Sequence, residues 1–163
     1  MKQKLKSALS LLLCMIMVFG ALAVGGEGIG AKLDGMKANA YSIFTHEVIN
    51  GKVKIVRCDT AASGAVTVPA SIDGKPVVSI GDGAFRWCDG LTKITIPDGV
   101  KYIGEGAFNH CTKVTSIELP NSVRYIGGAF DYCQSLTSIT IPRDVKFDFH
   151  PIFRGCTSLK SIN

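Results

Sequence analysis

A solenoid of stacked coils is the fold this sequence predicts, and three observations carry that prediction. Phe85, Phe108, Phe130 and Phe153 recur at steps of 23, 22 and 23 residues. Cys88, Cys111, Cys133 and Cys156 recur at the same steps, each three residues after its Phe. Upstream of each pair lies a short alternating apolar segment that ends in proline, at Val68-Pro69, Ile96-Pro97, Leu119-Pro120 and Ile141-Pro142. Self-similarity at a fixed period of this length is the mark of a repeat architecture.

The elements follow in chain order. Lys2, Lys4 and Lys6 precede Ala8 to Val24, a charge-free apolar run, so residues 1–40 read as an export signal. Two small-x-small cleavage sites are present, after Ala23 and after Ala40. The second adjoins the start of the ordered pattern at Tyr41; an uncleaved N-terminal anchor is the alternative. Cys14 follows Leu13 inside the apolar run, which excludes a lipid-attachment site. Residues 41–63 then alternate about Asn50-Gly51, the strongest short-range signal for a β-hairpin. That hairpin is expected to cap the first coil.

Residues 64–163 are the repeats. In Leu91-Thr-Lys-Ile94-Thr95-Ile96 the isoleucines point inward and Thr95 outward. Pro97 ends the strand, having no N–H for a ladder. Val100 and Ile103 return to the core, and Gly104-Glu-Gly-Ala-Phe108 reads as a short helical turn anchored by Phe108. Further copies run from Val114 to Cys133 and from Leu136 to Cys156. A first, degenerate copy from Val66 to Cys88 carries an insertion around Asp73-Gly74. One coil buries too little apolar surface to offset the entropy of ordering its own backbone, so the coils must stack. Leu-x-x-Ile-x-Ile at this period matches the strand part of a leucine-rich repeat. The expected fold is therefore a leucine-rich-repeat solenoid. It is a right-handed α/β-type coil, mostly short strands with short helical turns, of about four 22–23-residue repeats plus the hairpin cap. The last repeat is incomplete: Leu159 to Asn163 begin a further coil. Two readings stand, a fragment of a longer array or an end open to self-association.

With their Ile-Pro, Ile-Gly and Ala-Phe-x-x-Cys landmarks, the units Leu91–Cys111, Val114–Cys133 and Leu136–Cys156 closely resemble the BspA-like (treponemal-type) leucine-rich repeats. The resemblance spans residues 44–163. Asp148-Phe-His-Pro-Ile152 departs from it, so an irregular turn is expected there. The resemblance implies surface-exposed or secreted bacterial proteins, some of them adhesins for host, matrix or cell ligands, with no shared catalytic residues.

Composition narrows the function. Residues 41–163 carry 13 basic and 11 acidic side chains, formally +2 and dispersed, which is no nucleic-acid footprint. The four repeat cysteines occupy equivalent inward positions. Coils about 4.8 Å apart fit poorly with disulfide β-carbons ~3.8 Å apart, so buried free thiols are expected. Cys58 receives no role. No Cys-x-x-Cys pair suggests a metal, and no phosphate loop or nucleophile motif appears. No enzyme, cofactor or metal is expected.

Positions that vary between repeats face outward. Trp87, His110 and Tyr132, with Arg86 beside the first, should line one edge and suit a protein or glycan ligand. The competing reading makes them covers for the loops beside the core. Lys101 and Arg124, flanked by Tyr102 and Tyr125 and continued by Lys146 and Phe147, form a second row. That row either meets an acidic partner or is a solvated face. The functional expectation is an exported interaction or adhesion module with an extracellular protein or glycan partner, secreted or at the bacterial cell surface, and not membrane-inserted after cleavage. The alternatives are a targeting module of a larger secreted enzyme, such as a wall hydrolase or protease, and a self-associating surface-layer component.

Overall fold

The computed structural model describes residues 43–148 and 150–163. The expected export segment, both cleavage sites and Cys14 lie outside the described residues.

Asn50 and Gly51 adopt φ of 50° and 72°, the left-handed pair a two-residue type I′ turn requires. They join β1 (Phe44–Ile49) to β2 (Lys52–Cys58), which pair antiparallel. Strand β3 (Gly64–Thr67) opens the first coil. The insertion folds on itself, with Asp73 and Gly74 (φ 50° and 71°) turning β4 (Ser71–Ile72) back along β5 (Lys75–Ile80).

Each later coil contributes two strands on opposite sides. The Leu-x-x-Ile segments form β6 (Leu91–Thr95), β8 (Ser116–Glu118), β10 (Ser138–Ile139) and β12 (Ser161–Ile162). With β3 they make a parallel sheet in the order β12-β10-β8-β6-β3. The segments after proline form β7 (Tyr102–Ile103), β9 (Tyr125–Ile126) and β11 (Lys146–Phe147). These build a second sheet, β1-β2-β5-β7-β9-β11, in which β2 lies parallel to β5. The hairpin thus extends this second sheet. It places Val53 and Ile55 in the core and Phe44 edge-on to Phe85, with ring centroids 5.8 Å apart.

The leucine-rich-repeat solenoid is as expected, but its helical turns are not. Across Gly81–Cys88, Ala84 N–H donates to Gly81 O (3.2 Å), Arg86 N–H to Gly83 O (3.0 Å) and Cys88 N–H to Phe85 O (3.1 Å). These are successive β-turns. The alternate donors leave the coil: the Gly83, Phe85 and Trp87 N–H groups bond Glu105, Ala107 and Asn109 carbonyls of the next coil at 2.8, 2.7 and 3.1 Å. A helix would spend those donors on its own carbonyls, leaving the stacked coil unpaired. No α-helix occurs among the described residues.

The core consists of columns of equivalent apolar positions, Leu91, Val114 and Leu136 in one and Ile94, Ile117 and Ile139 in another. Phe85, Phe108 and Phe130 are fully buried and stack at 5.2 and 5.4 Å, and Phe153 follows at 5.5 Å. The Ile-Gly landmark has a steric cause. A Cβ on Gly104 would lie 2.6 Å from Asp82 N, and one on Gly127 2.9 Å from Glu105 N. Only glycine lets the coils approach at that point.

The cysteines form a column of free thiols, as expected, with one correction. Cys58 belongs to it: it is buried, and its N–H donates to Ala84 O at 2.6 Å. Its thiol and that of Cys88 both lie near Asp59 O, at 3.7 and 3.9 Å. The hairpin therefore supplies a first rung that no repeat spacing betrays. These thiols are not merely small apolar groups either. Those of Cys111, Cys133 and Cys156 donate to Phe85, Phe108 and Phe130 carbonyls at 3.1, 3.2 and 3.0 Å. Burial pushes the Cys111 thiol well above its ordinary range, so it stays protonated and keeps donating.

In the last coil the order loosens. Lys146 lies opposite Tyr125 and Phe147 opposite Ile126, one residue out of step with the repeat alignment. Asp148 accepts the Gly128 N–H at 3.3 Å, and Val145, Ile152, Phe153 and Cys156 are only half-buried.

Candidate functional site

The two predicted surface rows occupy successive segments of each coil. Tyr102 and Tyr125 stand on β7 and β9 with rings parallel to within 1° and centroids 4.8 Å apart, the spacing of the coils themselves. The stack ends there: Lys146, not Phe147, lies opposite Tyr125, and Phe147 is 43% exposed. Partial desolvation, then Asp82 and Tyr125, push the Tyr102 phenol up; desolvation and Asp148 do the same for Tyr125. Both phenols remain neutral donors. Lys101 is exposed, whereas Arg124 turns back on its own loop, its guanidinium donating to Asn121 and Val123 carbonyls at 2.6 and 2.9 Å. Of the three cations of this row, Lys101 and Lys146 are exposed, and Arg124 keeps its charge while spending donors on its own loop.

The other row is continuous. Trp87 and His110 stack at 3.7 Å and 17°, His110 and Tyr132 at 4.6 Å and 13°. All three residues hold φ near +60° (65°, 61° and 60°). Each is the third residue of a turn closed by Cys N–H to Phe O, the type II position that favours glycine. The fourth equivalent position is indeed glycine, Gly155 (φ 71°). A Cβ there would lie 2.6 Å from Tyr132 Cδ1, so the Tyr132 ring rests on bare backbone. Side chains hold this edge together as well. Asn109 Oδ1 accepts the Asp131 N–H at 2.8 Å, and Asp131 Oδ1 the Arg154 N–H at 3.0 Å.

Stacking uses up most of the aromatic faces. His110 is covered on both sides, Tyr132 by His110 and by Gly155. Trp87 is different, being 50% exposed with Arg86 Cζ 5.9 Å from its ring centroid. Beside it opens a groove of about 310 Å³ lined by Arg57, Thr60, Asp82, Gly83, Arg86 and Trp87. Sequence reasoning found Arg86 and Trp87 but missed Arg57, Thr60 and Asp82. They come from the hairpin, the segment after it and the first coil, and no spacing rule links them. On the opposite sheet, Glu118 bonds Lys93 at 2.5 Å and Thr95 Oγ1 at 3.2 Å, and Lys93 holds its carboxyl below the usual range.

Comparison with known proteins agrees with this architecture. The family model described as the BspA type leucine rich repeat region matches residues 78–163, in six copies. A leucine-rich-repeat protein from Bacteroides capillosus superposes with a TM-score of 0.64 at 31% identity, over 74% of this chain and 92% of that one. The leucine-rich-repeat protein of T. pallidum superposes at 0.62 and 30% identity, over 74% and 68%. A leucine rich cell surface protein from Faecalibacterium prausnitzii, at 23% identity and a TM-score of 0.57 over 86% and 43%, shares the fold. None of the curated protein sequences matches this chain.

Proposed function

This chain belongs to the BspA-type leucine-rich-repeat family, and from that premise we propose that it is an exported module that binds extracellular ligands through its surface. The observation that carries the reading is the Trp87–His110–Tyr132 row. It consists of three non-consensus aromatic side chains, held in register outside the core on backbone that glycine would adopt at lower cost. The basic and apolar N-terminus supports export, to the bacterial surface or the medium. Aromatic groups fixed on a rigid frame lose little entropy when a partner docks.

Binding of the purified protein to extracellular-matrix proteins, whole bacterial cells and wall glycans tests this. A Trp87→Ala/Tyr132→Ala double variant that stays folded should lose the binding. A folded protein that binds nothing on the panel overturns the reading.

A further inference from the structure

We propose that the groove beside Trp87 binds the acidic sugar residue of a carboxylated glycan. The inference rests on the surface-binding reading above and names the ligand chemistry of one end of the aromatic row.

Three features of the groove converge. Trp87 contributes to its wall while His110, stacked on the opposite face of the indole, does not. Trp87, half-exposed and with the Arg86 guanidinium 5.9 Å from its ring centroid, thus offers the least covered aromatic surface of the row, with a cation already beside it. The C–H face of a pyranose ring packs on such an indole surface. Arg57 and Arg86 also line the groove, and among the described residues neither guanidinium forms an ion pair. Against these two guanidinium groups the lining holds one carboxylate, Asp82, whose Oδ1 accepts the Glu105 N–H at 3.0 Å, so the lining is net cationic. An unpaired guanidinium is a planar fork suited to a carboxylate.

Size and polarity decide between a sugar and a peptide. At about 310 Å³ the groove is at the small end of ligand sites, which run from roughly 300 to 1,000 Å³. That is room for one ring. Beyond the indole its lining is polar, with Thr60 and Asp82 placed to meet hydroxyl groups, and it offers no second apolar pocket for a peptide side chain. A uronic acid supplies all three complements on one ring: an apolar face, hydroxyls and a carboxylate.

Trp87 is the only tryptophan in the chain, so its fluorescence reports directly on the site. The full-length protein is titrated with trigalacturonic acid, its methyl ester and a tetra-aspartate peptide. Saturable change with the acid is expected, with the ester weaker by about tenfold or more, since a hydrogen-bonded charge is lost. Arg57→Ala and Arg86→Ala should each weaken the acid similarly while leaving the far-ultraviolet circular dichroism unchanged. Arg86→Lys should recover part of the loss. Equal affinity for acid and ester, no response at millimolar acid, or a response to tetra-aspartate alone overturns the proposal. The two readings fail separately. If matrix or cell binding persists in a folded Arg57→Ala/Arg86→Ala variant and no acidic sugar titrates, the site is wrong and the module reading stands. If trigalacturonic acid titrates but nothing on the panel binds, the site stands and the broader reading falls.

Discussion

The phenylalanine column and the Trp87–His110–Tyr132 row run along the same solenoid two residues apart, with the same 22–23-residue step, and both stack ring on ring. Their environments are opposite. Phe85, Phe108 and Phe130 are fully buried, while the outer row stands on left-handed backbone with its first member half-exposed. Periodicity alone cannot separate a core column from a surface one, since stacking propagates any side chain at the coil spacing. Burial and backbone conformation separate them. The stabilities of the two columns should differ accordingly.

The largest contrast is expected from truncation. Phe108→Ala removes a fully buried ring and should cost about 3–5 kcal/mol in urea unfolding. His110→Gly, two residues on, loses two stacking contacts but relieves a left-handed backbone worth roughly 1–2 kcal/mol. It should leave stability within about 1 kcal/mol of the parent. Equal losses at the two sites would mean that the buried and the outer column contribute alike to stability.

A smaller effect tests the close approach of the coils. Gly104→Ala places its methyl 2.6 Å from Asp82 N, against backbone that cannot swing aside; a loss of about 1–3 kcal/mol is expected. Gly74→Ala, in the open turn of the insertion with nothing within 4 Å, should cost only its backbone strain, about 1 kcal/mol. At the end of the outer row, Gly155→Ala should destabilise by more than that, because strain and the Tyr132 ring both oppose it. In a Tyr132→Ala background the excess should vanish, which a double-mutant cycle measures.

The weakest expected effect lies on the opposite sheet. Lys93 depresses the Glu118 carboxyl, so this pair's contribution is present above the unfolded carboxyl's titration and fades as pH falls through the lower folded value. Both side chains are exposed, at 44% and 54%, so the acid-side drop in melting temperature should be slight. Lys93→Met should flatten it. A large drop would mean that another carboxyl governs acid stability.

Much of this was legible beforehand. The period, the inward Phe, Cys and Ile positions, the Asn50-Gly51 hairpin and the outward Trp87, His110 and Tyr132 all follow from residue type and spacing, because each coil repeats one pattern of burial. The second sheet was not legible. Two-residue strands such as Tyr102–Ile103 exist only because the neighbouring coil lies alongside. The turn at Gly104–Phe108 reads locally as helical. Its alternate N–H groups bond the next coil instead, a choice made only once the coils stack.

Sequence by itself therefore determined the repeat, its core columns and the aromatic row, since hydrophobic periodicity and turn chemistry are local properties of a chain. Tertiary structure alone decided the rest. It drew Cys58 into the thiol column, slipped the register at Lys146, folded Arg124 onto its own loop, and brought Arg57, Thr60 and Asp82 beside Trp87. Those outcomes depend on which backbone groups meet across coils, and that pairing is settled by stacking geometry, which no window of residues contains.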